Sequence, residues 1–402
     1  MMDYNQATVL SIIAKALWNK PSMITVRPDA WDVVCRITKE HAITPIVWIG
    51  LSSQKKEIPV SNYKFLRSEA LSSVFAGEQL MIEQDRILAA FNNAGIQCAV
   101  LKGSSMAALY PSPEMRSLGD IDLLVPAALF ERASVLLQRL GFQAQEKGHS
   151  FHTEFHGRGC VVELHRAVSN MPNTAGGLAA ARIMDECWDD IKCCIVGDYS
   201  FPALGIRHQA LNLLLHMERH LAIGGIGLRQ LCDWLVFVWS VKTEEFESII
   251  LPTLDCCGLS RFACVLTKVC VTYLGIDENH VRWCMGIEDS LVRAMMKDIL
   301  RVGDMGRTID SSDMSGLLIG RTGGGNPLQT LINNMNKLAK KHFPIVDKYP
   351  VFMPFMWVYL PLRYWVRALI GKRPHKSVAG TLVTVKHRTW LLHELKLFDT
   401  ER

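Results

Sequence analysis

The chain has 402 residues, 49% of them hydrophobic and 21% charged; these proportions exclude a disordered protein and leave room for two or three domains with a large core. The net charge of +5 is uneven, because residues 336–402 carry 13 Lys/Arg against 4 Asp/Glu and leave the remainder net negative; such a basic C-terminal stretch points to an anionic partner (a lipid surface, a phosphorylated substrate or RNA) or to a solvated face, and DNA is not expected. The 12 cysteines form no CxxC pair, and Cys193-Cys194 and Cys256-Cys257 are adjacent, which fits neither a zinc knuckle nor a disulfide framework and points to free thiols in a reducing compartment.

The first residues, Met1-Met2-Asp3-Tyr4-Asn5-Gln6, lack the basic and apolar segments of a secretory signal, so a cytoplasmic location is expected. Residues 1–94 read as an N-terminal helical region. Val9, Ile12, Ile13, Ala16 and Leu17 recur at helical spacing, with Asn5 or Thr8 as the cap. Trp31, Val34, Cys35 and Thr38 continue the pattern. A longer helix is predicted over 61–94, with Leu80, Ile87, Leu88 and Phe91 inward and Gly95 ending it.

The pattern then changes. Residues 97–101 read as a buried strand, 104–110 as a short helix stopped by Pro111 and Pro113, and 120–125 as a second strand. Pro126 opens a helix that runs to Leu140, before Gly141. Residues 142–156 and 160–167 read as strands around Gly157-Arg158-Gly159. This α/β unit, residues 95–175, is the predicted catalytic core. Residues 176–402 read as a helical C-terminal region forming the acceptor side of a cleft, with amphipathic helices over 210–220 and 228–239 joined by Gly224-Gly225-Ile226-Gly227.

The chemistry concentrates in the core. Gly103-Ser104-Ser105 is a small-residue turn opening a helix, where backbone N–H groups can face phosphate oxygens. Asp120 and Asp122 alternate along a strand, so both carboxylates share one face. Two such carboxylates repel unless a divalent cation sits between them, and Mg2+ (or Mn2+) accepts carboxylates together with phosphate oxygens. A two-metal clamp on an α-phosphate needs a third carboxylate. Glu163, in the apolar strand Val161-Val162-Glu163-Leu164-His165, is the candidate, with Thr153 or a close neighbour opposite it. It is also a candidate general base. His165 shares its face by period two and is suited to act as a base or to orient the third acid. Lys102 can reach a phosphate as a point charge, and Arg116 can hold one bidentately.

Leu101-Lys102-Gly103, then Arg116, then Asp120-Ile121-Asp122-Leu123-Leu124-Val125 resembles the nucleotidyltransferase superfamily. More closely, it resembles a poorly characterised bacterial branch with a Leu-Lys-Gly…Arg…Asp-Ile-Asp signature. Glu163-Leu164-His165 matches that branch's acidic-Leu-His strand, and His216, His220, Arg229 and Asp233 match its helical pair. Ser104 stands where a second glycine is common, and Glu163 where Asp is commoner. The resemblance implies an α+β fold, a small mixed sheet with helices, flanked by N-terminal and large C-terminal helical regions. It implies a Mg2+-dependent transferase moving a nucleotidyl group from an NTP to a hydroxyl or phosphate, but it does not imply the acceptor, for which a peptide natural product, a sugar and RNA are the candidates. It also places Arg229 toward the cleft, although Arg229 and Asp233 stand at i, i+4 and read equally as an intrahelical pair. Two alternatives stay open. One is glycosyl or phosphosugar transfer from a nucleotide-sugar to a modified peptide or small molecule. The other is a nucleotide-binding module without turnover.

Other features are less specific. His216 and His220 share a helix face, but Glu218 is misplaced for the zinc-protease motif, so a cleft wall or plain packing is expected. His149, His152 and His156 lie near the hairpin and read as structural. The loop from Gly320 to Gly325 lacks the Lys-Ser/Thr ending of a P-loop and reads as a loop or a lid. The segment from Val351 to Leu362, broken by Pro354 and Pro361 and followed by Arg363, Arg367, Lys372 and Arg373, is too short to span a bilayer. It reads as core packing or as peripheral contact with an anionic membrane.

Overall fold

The structure is a computed structural model that describes residues 2–145, 151–303, 345–369 and 378–400, with a few positions between 332 and 343. The Gly320–Gly325 loop, His149, Lys372, Arg373 and the side chains of Arg363 and Arg367 lie outside the described residues.

The N-terminal helices form as the periodicity predicts. They are α1 (Tyr4–Leu17), α2 (Trp31–Glu40), α3 (Thr44–Gly50) and the long α4 (Val60–Asn93). The cap of α1 is neither Asn5 nor Thr8. Asp3 accepts from Gln6 N–H, and the Gln6 side chain returns a bond to the Asp3 N–H, a reciprocal pair that satisfies two orphan donors at once. Gly95, with φ of +62°, follows the end of α4.

The core is a seven-stranded mixed sheet in the order β3-β4-β5-β2-β1-β7-β6. Its strands are β1 (Ala99–Val100), β2 (Ile121–Leu124), β3 (Gln143–Ala144), β4 (His152–Gly157), β5 (Cys160–His165), β6 (Ile191–Val196) and β7 (Tyr199–Leu204). Between them stand the one-turn α5 (Ser104–Ala107), α6 (Phe130–Arg139) and α7 (Ala175–Asp185). The expectation of helix throughout 176–402 is corrected here: β6 and β7 form a hairpin that joins the sheet by parallel pairing of Val100 with Ala203. Gly197 at φ +57° turns that hairpin between the paired Val196 and Tyr199. Phe201, Ala203 and Leu204 are buried from β7, a pattern that the Cys193-Cys194 pair and Pro202 obscure in the sequence.

Two cores flank the sheet. On one face Val100, Ile121, Leu123, Val162 and Leu164 pack with Leu80, Ile87 and Phe91 of α4 and Phe130, Ala133 and Leu137 of α6. On the other, Ala99, Leu101, Leu124 and Leu204 join the N-terminal helices and the helices after β7. Strand alternation therefore turns Asp122, between Ile121 and Leu123, toward the second face. There α8 (Ile206–Ile223) and α9 (Leu228–Ser240) pack. Asn212 of α8 donates to the Leu101 carbonyl at 2.6 Å. The Gly224–Gly227 turn between α8 and α9 is held from behind by Arg388, which donates to Gly224 O at 2.7 Å and pairs with Asp298 at 3.2 Å, both side chains fully buried. Among the described residues no helix is long and apolar enough to cross a membrane.

Candidate active site

β2 and β5 run parallel in a register that sets Asp122 beside Glu163 and Leu124 beside His165. One residue upstream of β2, Asp120 continues the Asp122 face. The carboxylate oxygens of Asp120, Asp122 and Glu163 lie within 4.8 Å of one another. Across the hairpin, the residue opposite Glu163 is Glu154, with Thr153 opposite Leu164.

Lys102 and His165 close on these acids. Lys102 Nζ lies 2.5 Å from Asp122 Oδ2 and 3.9 Å from Asp120 Oδ2. His165 Nε2 lies 3.1 Å from Asp122 Oδ1 and 3.3 Å from Glu163 Oε2. Only the Asp122 contact has hydrogen-bond geometry, so Glu163 Oε2 is buried without a hydrogen bond. Burial pulls the Lys102 ammonium down, but Asp120, Asp122 and Glu163 outweigh it and raise it. Burial likewise opposes a charged His165, and the neighbouring Asp122 and Glu163 carboxylates prevail and raise it. In return, Asp122 and Glu163, each pushed up by burial, are held below the usual carboxylate range by Lys102 and His165. Asp122 and Glu163 are thus held in the charged form, facing the Lys102 ammonium and the His165 ring.

Gly103 takes φ +70° and ψ −109°, a conformation glycine alone adopts easily, and this folds the chain back from β1. A Cβ there would meet only Asp120 O at 3.7 Å, so backbone angle rather than crowding demands glycine. The helix it opens is a single turn, so a helix-dipole contribution to phosphate binding is small. Ser104 Oγ is turned away, donating to Gln84 Oε1 of α4 at 2.7 Å, whereas Ser105 Oγ is buried without a hydrogen bond.

Arg116 stands differently from the phosphate ligand the sequence suggested. Its Nε and Nη2 bind both oxygens of Asp233 at 3.0 and 2.9 Å, and its Nη1 donates to Ser117 O at 3.2 Å. Tyr110 OH donates to the same Asp233 at 2.8 Å. Asp233 therefore reaches across to the loop before β2, not along its own helix to Arg229. Arg229 Nη1 instead donates to Ser117 O at 3.1 Å, so α9 grips that loop twice. Asp233 was legible as a carboxylate inside the apolar run Leu231-Cys232-Asp233-Trp234-Leu235. Tyr110, Gln84 and Asn212 carry no such signal.

A narrow cavity of about 30 Å3, lined by Lys102, Asp120, Arg116, His216, Arg229 and Asp233, separates the acids from α8 and α9. His216 and His220 stack edge to face with centroids 4.4 Å apart. Burial first, then neighbouring cations including Lys102 and Arg219, hold His216 well below the usual imidazole range and His220 down to about 3. They form a neutral wall. A wider groove of about 680 Å3 opens between α4 and the β4–β5 turn, lined by Phe75, Leu118, Gly119 and Arg158. It reaches the residue before Asp120, and Phe75 is 68% exposed.

A family model described as an uncharacterised nucleotidyltransferase matches residues 27–275. No curated protein matches the chain. Among solved structures, it is similar to the antibiotic-resistance factor ANT(2'')-Ia in solution, at 12% identity over 48% of this chain and 96% of that chain, with a TM-score of 0.32.

Proposed function

This chain belongs to the uncharacterised nucleotidyltransferase family, and we propose that it transfers a nucleotidyl group from an NTP to a hydroxyl or phosphate of its acceptor with a divalent metal at Asp120, Asp122 and Glu163. The observation that carries this is the approach of three carboxylates from neighbouring parallel strands to within 4.8 Å, beside a lysine and a glycine turn. The residues fit a cation. Glu163 Oε2 is buried with no hydrogen bond, and Lys102 already places one positive charge against Asp122 and Asp120. Mg2+ or Mn2+ bound there supplies charge neutralisation and polarisation at the α-phosphate.

The chain's own residues do the rest. Lys102, beside Asp122 and Asp120, is placed to hold a phosphate as a point charge. Gly103 lets the backbone approach the phosphates, and Ser105 Oγ offers a further hydrogen bond. His165 is a positioning residue, holding Asp122 and Glu163 together. A carboxylate held as low as Glu163 is a weak base, so its role here is metal ligand rather than proton acceptor. Arg116, through its pair with Asp233, shapes the loop that carries Asp120. Arg229 lines the same side. The cavity between acids and helices holds about one water, so the nucleoside lies in the open groove, where Phe75 offers a stacking face. The acceptor oxygen bonds to the α-phosphorus, the α–β anhydride bond breaks, pyrophosphate leaves, and the acceptor proton passes to solvent.

Calorimetric titration with each NTP and Mg2+, beside Asp122→Asn, tests this reading. The wild type should bind an NTP in a metal-dependent way, and the variant should lose that dependence while staying folded. Equal metal-dependent binding by Asp122→Asn would reject the site. Product mass decides the donor, since gain of a hexose in place of a nucleotidyl group would assign a nucleotide-sugar.

A further inference from the structure

The face of β4 and β5 that carries Glu163 holds more ligand-type side chains than the acid cluster uses. Antiparallel register places His152 opposite His165 and Glu154 opposite Glu163, and strand alternation puts all four on one face. His152 and His165 are each only 2% exposed. Their rings lie with centroids 4.9 Å apart. His152, Glu163 and His165 each offer one ligand atom, and those atoms lie within 4.8 Å of one another.

His165 gives the second, independent indication. Its Nε2 is directed to Asp122, while its Nδ1 is buried and makes no hydrogen bond. Metal-binding imidazoles commonly hold a carboxylate with the nitrogen they do not use for the metal, which fixes the tautomer and the ring. Asp122 stands in that place. A buried ring nitrogen with nothing to bond to is costly, as is the buried, unbonded Glu163 Oε2 beside it. A cation among the three side chains relieves both.

We propose that His152, His165 and Glu163 form a separate site for a divalent transition-metal ion, Zn2+ by preference and Mn2+ as its spectroscopic stand-in, that shares Glu163 with the acid cluster. Two nitrogens and one carboxylate suit such ions, whereas Mg2+ takes oxygen ligands. The site requires no nucleotide chemistry, so it stands or falls apart from the function proposed above. Glu163 would bridge a nitrogen-rich site and an oxygen-only one.

The test uses the full chain, stripped with EDTA and given substoichiometric Mn2+ without nucleotide. Pulsed EPR should detect 14N coupling from imidazole on the bound ion, and Zn2+ should displace that ion. His152→Gln should remove coupling from one imidazole and weaken Mn2+ binding at least about tenfold, the lower end of what losing even an indirect partner costs. Asp120→Asn, outside the three ligands, should keep the nitrogen-coupled signal. Bound Mn2+ without 14N coupling in the folded wild type would overturn the site, as would coupling unchanged in both His152→Gln and His165→Gln. Metal-dependent NTP binding without 14N coupling would sink this inference alone. Nitrogen-coupled Mn2+ in a protein that binds no NTP would sink the transferase reading alone.

Discussion

Asp233→Ala should destabilise the protein strongly, and the reason lies in the cleft wall. Arg116 and Asp233 are 6% and 7% exposed and share two hydrogen bonds near 3 Å. Their charge centres are about 4 Å apart, so at an effective dielectric near 20 the attraction is about 4 kcal/mol. Removing Asp233 leaves the guanidinium buried without a counter-charge and also strips Tyr110 OH of its acceptor. Breaking such a pair typically costs about 3–5 kcal/mol. Urea unfolding of Asp233→Ala measures this directly. The double variant Arg116→Met with Asp233→Leu removes both charges and should recover most of the loss, because a buried pair can be replaced by apolar groups at little cost. Nucleotide affinity then separates two roles for Arg116. If it only shapes the loop, the refolded double variant binds NTP nearly as the wild type does. If it grips phosphate, affinity falls although stability returns. A loss below about 1 kcal/mol for Asp233→Ala, in the range of exposed pairs, would refute the account.

Two further predictions concern backbone and pH. Gly103→Ala should cost about 1–2 kcal/mol from the left-handed φ alone, whereas Gly119→Ala, where an added Cβ meets nothing within 4 Å, should cost a few tenths; equal effects in thermal melts would show that the Gly103 turn is unstrained. His41 is buried, and its Nδ1 accepts from Leu228 N–H at 3.1 Å. Burial lowers its pKa from 6.5 to about 4 against a backbone bond to Leu300. A lowered folded value means that the unfolded chain takes the proton first, so stability is full above pH 6.5 and falls as pH drops toward 4, by about 3 kcal/mol across that window. Unfolding free energies measured through this range should slope in the wild type and flatten in His41→Gln; parallel slopes would count against a neutral, tightly held His41.

Much of the site was readable from residue types and spacing. Period two alone put Asp120 with Asp122 and Glu163 with His165, because strand side chains alternate whatever the fold. The helical spacing of α1, α4, α8 and α9 was equally local, as was the glycine demanded at 103. Local signals failed where partners are distant in sequence. The β6–β7 hairpin is short, with cysteines and a proline in its strands, so only pairing with β1 reveals it as part of the sheet. Arg116 reads as a free phosphate fork until α9 brings Asp233 against it, 117 residues away. His152 looked like an ordinary strand histidine, because the register that sets it against His165 depends on a turn whose pairing sequence does not specify. The sequence by itself determined which side chains share a face and which backbone turns need glycine, since both follow from covalent geometry. Only the tertiary structure decided which charges meet, because a buried charge takes whatever counter-charge the packing of distant elements brings within reach.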